Sequence, residues 1–300
     1  MDEFKRLPFA TYDIAVYLLG GAVTLVLSLS ALHVWVPNSS TLIPLYFDGD
    51  TVGVVVKGVF WLGASYLTGH IVAFISTYVV ERFVHNTLGY PSQIWLELER
   101  AKGAKDADQG AMRPIWKKRL HEVQFNIVFV MTLICQLPMF PLLLIFYWIR
   151  PFGFYTPKIP VGLLAAVRDK FASLEIDLSI KDGSRWEKVV EHHVANKCPS
   201  AYSRMYNYLI IYGVLRMMCV IILGVAWLWL GTNVYNAVTF GLHFSFIGLL
   251  QYVVIFYAYG FSLMAFAKFN RRYFEESILG FLFADGIVTA ARGGPRIRTP

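Results

Sequence analysis

Ile14–Val36 runs for 23 residues without a charged side chain, and Val123–Ile149 for 27. Further mostly apolar stretches cover Thr51–Val84, Tyr208–Leu230 and Val238–Ala267. A helix of about 20 apolar residues crosses a bilayer, and buried soluble helices seldom stay uncharged over such lengths. The chain therefore reads as an all-α polytopic membrane protein. Composition agrees, because only 16% of the 300 residues are charged, against about a quarter in average soluble domains. That length has room for these helices and one modest layer outside the membrane, not for a separate large enzyme domain.

Basic residues divide sharply along the chain. Met1–Tyr12, Asn86–Glu122, Arg150–Asn207 and Lys268–Pro300 hold 24 of the 27 lysines and arginines. The loops Pro37–Asp50 and Gly231–Asn236 hold none. Short cytoplasmic loops gather Lys and Arg, whereas exported loops lack them. With the N-terminus inside, spans at about 14–36 and 52–84 bring segment 86–122 back inside. If 123–149 crossed, nine basic residues of Arg150–Asn207 would lie outside. If it does not, every basic segment (86–122, 150–207 and 268–300) is cytosolic and both bare loops are external. The expectation is four transmembrane helices, at about 14–36, 52–84, 208–230 and 238–267, plus a re-entrant hairpin broken at Pro138 and Pro141. A Pro-kinked crossing helix is the alternative. A bacterial inner-membrane location, with cytoplasmic N- and C-termini, follows as an expectation. Ile14–Val36 is too long for a signal-peptide core, and no cleavage pattern follows it.

The cytosolic segments carry helical patterns. Leu164, Val167, Phe171 and Leu174 share one face of a helix over Val161–Leu174, which suits the membrane surface. Ser184-Arg-Trp-Glu187 has the spacing of a capping box, and the helix it opens places Trp186, Val189, Val190 and Val194 together. Ser277–Ala291 is moderately apolar and suits the interface. The net charge of +7 points to anionic lipid head groups. Nucleic acid is not expected, because no binding motif accompanies the charge. Cys135, Cys198 and Cys219 suggest no disulfide framework.

Small residues recur every fourth position at Ser65, Gly69, Ala73 and Thr77, with Gly241 and Ser245 as a second pair. Such stripes let helices approach closely. Polar groups within the apolar stretches are few and therefore informative: His70, Glu81, His85, Gln136 and Arg216 are candidates to line or gate a permeation path. Glu81 and Arg216, on different spans at similar depth, are expected to pair. His70 lies 11 residues before Glu81, near the same face of an ideal helix. His33 and His243 at the outer span ends could ligate haem or copper, but nothing else supports a metal or any cofactor. Glu191-His192-His193 with Cys198 lacks the spacing of known zinc sites. Ser65 and His70, five apart, diverge on a helix and form no dyad. No phosphate-binding Gly-rich motif occurs. Trp35, Trp148, Trp227, Trp229 and Tyr235 lie near span ends, as interfacial anchors do.

These features point to an oligomeric channel, transporter or membrane-permeability effector, completed by copies of itself or other membrane subunits. Two other readings share the same residues: an inner-leaflet enzyme acting on a lipid or lipid-linked anion, and a non-catalytic subunit of a larger membrane complex.

Overall fold

The computed structural model describes residues 13–35, 51–91, 130–149, 161–174, 186–241 and 245–284. Among them there is no strand. The main helices are α1 (Leu19–Trp35), α2 (Thr51–Ser76), α3 (Arg82–Leu88), α4 (Phe140–Ile149), α5 (Val161–Ser173), α6 (Trp186–Lys197), α7 (Pro199–Phe240) and α8 (Phe246–Phe283). A π-helical segment, Asp13–Leu18, leads into α1, and a second, Thr77–Glu81, joins α2 to α3. Among the described residues, three helical stretches are long and apolar enough to cross a membrane: Gly53–Leu88, Pro199–Phe240 and Phe246–Phe283. The first expected span is represented by the shorter apolar helix Val16–Ala31.

The chain divides into two compact units. Unit 1 comprises Met1–Leu88, Arg113–Phe152 and Ile210–Lys268, and unit 2 comprises Gly89–Met112, Gly153–Leu209 and Phe269–Pro300. Unit 1 carries wide apolar exposure, with Val56, Phe60, Leu67 and Phe74 of α2 and Ile247, Val254 and Phe261 of α8 all exposed. In water such a surface would drive association; in a membrane it is the surface that lipid tails cover.

Within unit 1, α1 and α2 touch backbone to backbone. A Cβ added at Gly21 would collide with the carbonyl of Ser65, and one added at Gly69 with the carbonyl of Tyr17. Lipid tails are as apolar as leucine, so close van der Waals contact rather than water exclusion holds such pairs. Ser65, Gly69 and Ala73 are thus the buried face toward α1, alongside Val16, Val72 and Met217. Thr77 departs from the expected stripe. It is exposed and donates to the Ala73 carbonyl, while Ser76 and Val80 continue the buried column.

The second small-residue pair also falls elsewhere. Residues 231–236, expected as an external loop, are helical, and α7 runs on to Phe240. The turn comes at Gly241, whose φ of 87° lies in the left-handed region that glycine tolerates. Ser245 sits just before α8 and accepts from the Gly248 N–H, as an N-cap does. Gly241 and Ser245 therefore make a turn and a cap rather than a helix-packing face.

Unit 2 is a small helical core. Leu164, Val167 and Phe171 of α5 meet Trp186, Val190 and Val194 of α6, Ala201 of α7, and Phe274, Ile278, Phe281 and Leu282 of α8. The apolar face of α5, expected on the membrane surface, is buried against protein instead, except that Leu174 is exposed, as is Val189. Ile278–Leu282 likewise belongs to this core and not to a separate interfacial segment. Lys170 closes the end of α8: its ammonium donates to the carbonyls of Phe281 and Leu282 and lies 4.9 Å from the Phe281 ring centroid. A cation there satisfies acceptors that the helix end leaves open. Ser184 of the expected capping box lies outside the described residues, as does the segment beyond residue 284.

Gly69→Leu should separate α1 from α2 and lower stability by more than about 3 kcal/mol, the scale of severe overpacking, measured by unfolding in detergent. A smaller effect than Gly63→Leu, whose added Cβ meets nothing within 4 Å, would contradict this packing. Phe171→Ala should cost about 3–5 kcal/mol through cavity formation in unit 2.

Candidate functional site

Two features of unit 1 combine at one place: the π turn Thr77–Glu81 and the proline break at 136–141. In the π turn the Arg82 N–H bonds to the Thr77 carbonyl, five residues back. Returning from that pairing to ordinary i→i−4 pairing skips one carbonyl at the end of the turn. The carbonyls there meet side chains from the broken segment. Thr132 Oγ1 donates to the Tyr78 carbonyl at 3.4 Å, and Gln136 Nε2 to the Val79 carbonyl at 3.0 Å.

The break itself arises because Pro138 and Pro141 cannot donate. Residues 130–135 are helical, Leu137–Met139 forms a 3-10 turn, and α4 follows. Gln136 and Phe140 keep right-handed dihedrals, so the backbone bends without a loop. The Met139 N–H shifts to the Gln136 carbonyl, which releases the Cys135 carbonyl. Trp227 Nε1 donates to that carbonyl at 2.8 Å, and the Tyr252 hydroxyl to the Pro138 carbonyl at 2.6 Å. Its place near a span end marks Trp227 only as an interfacial anchor. Trp229, two residues on, carries the same one-dimensional signal, so nothing in the pattern marks this role for Trp227.

Gln136 is the centre of the arrangement. It is fully buried, and besides bonding Val79 it accepts from the Tyr259 hydroxyl at 2.6 Å. Tyr259 is fully buried as well. The amide thus joins the π turn to α8 through both of its ends, which leaves it holding helices together rather than facing an open path.

Beside the clasp lies the charged group. Arg216 of α7 and Glu81 at the end of the π turn form an ion pair through Nη1 and Oε2, as their placement in the sequence led us to expect. The Arg216 side chain is 10% exposed and that of Glu81 22%. His85, one turn beyond Glu81 on α3, is buried. The cluster is flanked by Phe83, Val84 and Cys219, part of a core with Met139, Leu142, Leu263 and Phe266.

His70 does not join this cluster. It is exposed on α2, stacked on Tyr17 with ring centroids 3.8 Å apart and edge-on to Tyr66 at 4.5 Å. On an ideal helix it would share a face with Glu81, but the extra residue of the π turn rotates everything beyond it by roughly 100°. The side chain of His33 and the whole of His243 lie outside the described residues. Among the described residues no three His, Cys, Asp or Glu side chains gather as a metal site. The three cysteines are free.

Gln136→Leu should cost about 1–2 kcal/mol, because it leaves a buried carbonyl and a buried hydroxyl unpaired. Tyr259→Phe added to Gln136→Leu should cost less than it does alone, with a coupling of about 0.5–1.5 kcal/mol in a double-mutant cycle read by unfolding in detergent. Strict additivity would mean that the two side chains are not joined as described. Comparison with protein-family models, curated proteins and solved structures finds no match to this chain.

Proposed function

We propose that the protein is an oligomeric integral membrane protein that forms or gates a permeation path, with Glu81, His85 and Arg216 at the gate. One observation carries the reading: an ion pair and a buried histidine sit together within long apolar helices. Charged groups within spans are costly and concentrate on ion, proton or substrate routes. Glu81 remains the more exposed partner, which leaves the pair open to a change of partner. A pore needs further subunits, because few crossing helices enclose little space; a homo-oligomer supplies them most simply.

The same proposal takes the chain as four crossing helices in a bacterial inner membrane, with both termini and the basic segments on the cytoplasmic side. Segment 130–149 then enters the membrane and leaves on the same side. Its contacts along α8 support that course: Gln136 meets Tyr259, Pro138 meets Tyr252, and Leu142 lies back against Gly260. The side chains that occupy its released carbonyls support it too, since irregular backbone at membrane depth must be covered by protein.

Liposomes containing the purified protein should show solute or ion flux that falls at least tenfold in Glu81→Gln and in Arg216→Gln. Flux that is absent, or equal in all three proteins, would sink the reading. A single cysteine placed between residues 151 and 160 in a background without Cys135, Cys198 and Cys219 should react with membrane-impermeant maleimide only after cells are opened. Labelling of intact cells would instead make 130–149 a full crossing.

A further inference from the structure

Arg216 is 91% buried, since its relative exposure is 9%. Its Nη1 is committed to Glu81, yet its Nε is buried with no hydrogen-bond partner among the described residues. Buried donors are nearly always satisfied, and a charged donor left alone costs more than a neutral one. An orphaned guanidinium N–H therefore marks a missing acceptor. The Nε side of a guanidinium is one arm of a planar fork whose geometry matches two oxygens of a phosphate or carboxylate. The Glu81 side chain, on Nη1, is 22% exposed.

We propose that the Nε side of Arg216 binds a phosphate-bearing anion, with Glu81 holding the opposite side of the guanidinium. The phosphate has two possible sources, an anionic phospholipid head group and a free phosphate ester, and the chemistry recognised is the same. A lipid source suits an arginine set within an apolar helix, since the head group can enter while its tails stay in the bilayer. The Glu81 carboxylate competes with the anion for the guanidinium, so the site takes a singly charged phosphodiester more readily than a dianion. The proposal uses the same cluster as the permeation reading, but it does not depend on flux and is tested by binding alone.

The test is thermal unfolding of the full chain in nanodiscs of phosphatidylcholine, with phosphatidylglycerol added in one arm and glycerol phosphate in another. Phosphatidylglycerol should raise the wild-type midpoint by several degrees. Arg216→Lys, which keeps the charge and every surface basic residue but loses the fork, should show less than half of that rise. Glu81→Gln, which removes the competing carboxylate, should show a larger rise than the wild type. A rise with glycerol phosphate alone would assign the site to a soluble ester. Equal rises in wild type and Arg216→Lys, or none in any arm, would overturn the proposal and leave a bound water as the missing acceptor. Should Arg216→Lys fail to fold, the wild type and Glu81→Gln still decide, since equal shifts in those two refute binding at this guanidinium.

Discussion

In hydrocarbon no water is present to satisfy a peptide group, so an irregular backbone survives only where protein supplies the missing partners. Two such irregularities meet in unit 1, and much of the architecture around them follows from that meeting. The π turn at Thr77–Glu81 presents carbonyls to the side, and the prolines of 136–141 release others. Thr132, Gln136, Trp227 and Tyr252 meet four of these carbonyls, from three different parts of the chain. The two defects are thus mutually supporting. Thr132 and Gln136, one helical turn apart and just before the break, reach the carbonyls that the π turn presents.

The same register change sets the charged site. An extra residue in the π turn turns Glu81 and α3 relative to α2, so that Glu81 meets Arg216 while His70 remains on the exposed side with Tyr17 and Tyr66. An ion pair removed from water gains little in net stability, because desolvation offsets most of the attraction, and losing one partner is far more harmful than never having had the pair. The proposed anion at the guanidinium N–H that is still unsatisfied would give the pair a role other than stability.

Sequence patterns were most informative where a single period or a single charge decided the matter. Uncharged runs gave the helical membrane class, and the four-residue spacing of Ser65, Gly69 and Ala73 gave a face that packs closely on another helix. Glu81 and Arg216 were legible as partners because they are the rare charges on two otherwise apolar segments. The π turn was not legible. Thr-Tyr-Val-Val-Glu is ordinary helical sequence, and its insertion is settled by carbonyl partners 54 and 57 residues away along the chain. Without it, His70 aligns with Glu81, and that expectation fails for this reason; Thr77 leaves the stripe because a four-residue spacing drifts by about 40° per step, so that Ser76 continues the buried face. Helix ends were misplaced for a different one. Gly231 is tolerated inside α7, and it is Gly241, with its positive φ, that makes the turn. Leu164, Val167 and Phe171 of the expected face of α5 are buried and Leu174 is not, and periodicity alone cannot distinguish a membrane surface from the core that α6, α7 and α8 provide.

Satisfying the backbone also narrows where chemistry can occur. Gln136, the most polar residue of the broken segment, has its amide spent at both ends on Val79 and Tyr259 and no exposed surface. Thr132 and Tyr252 are likewise turned to carbonyls. Polar side chains that sequence would distribute along a path are instead consumed in closing the fold around its breaks. Among the described residues of unit 1, the buried Nε of Arg216 and the buried Nε1 of Trp229 keep no hydrogen-bond partner, and of the two Arg216 is the charged one, paired with Glu81. A buried charged donor without a partner costs more than a neutral one, and that is why the proposed ligand is placed at Arg216 rather than at Trp229. The proposed ligand thus sits beside the clasp, where the π turn that Thr132 and Gln136 hold also carries Glu81 to Arg216.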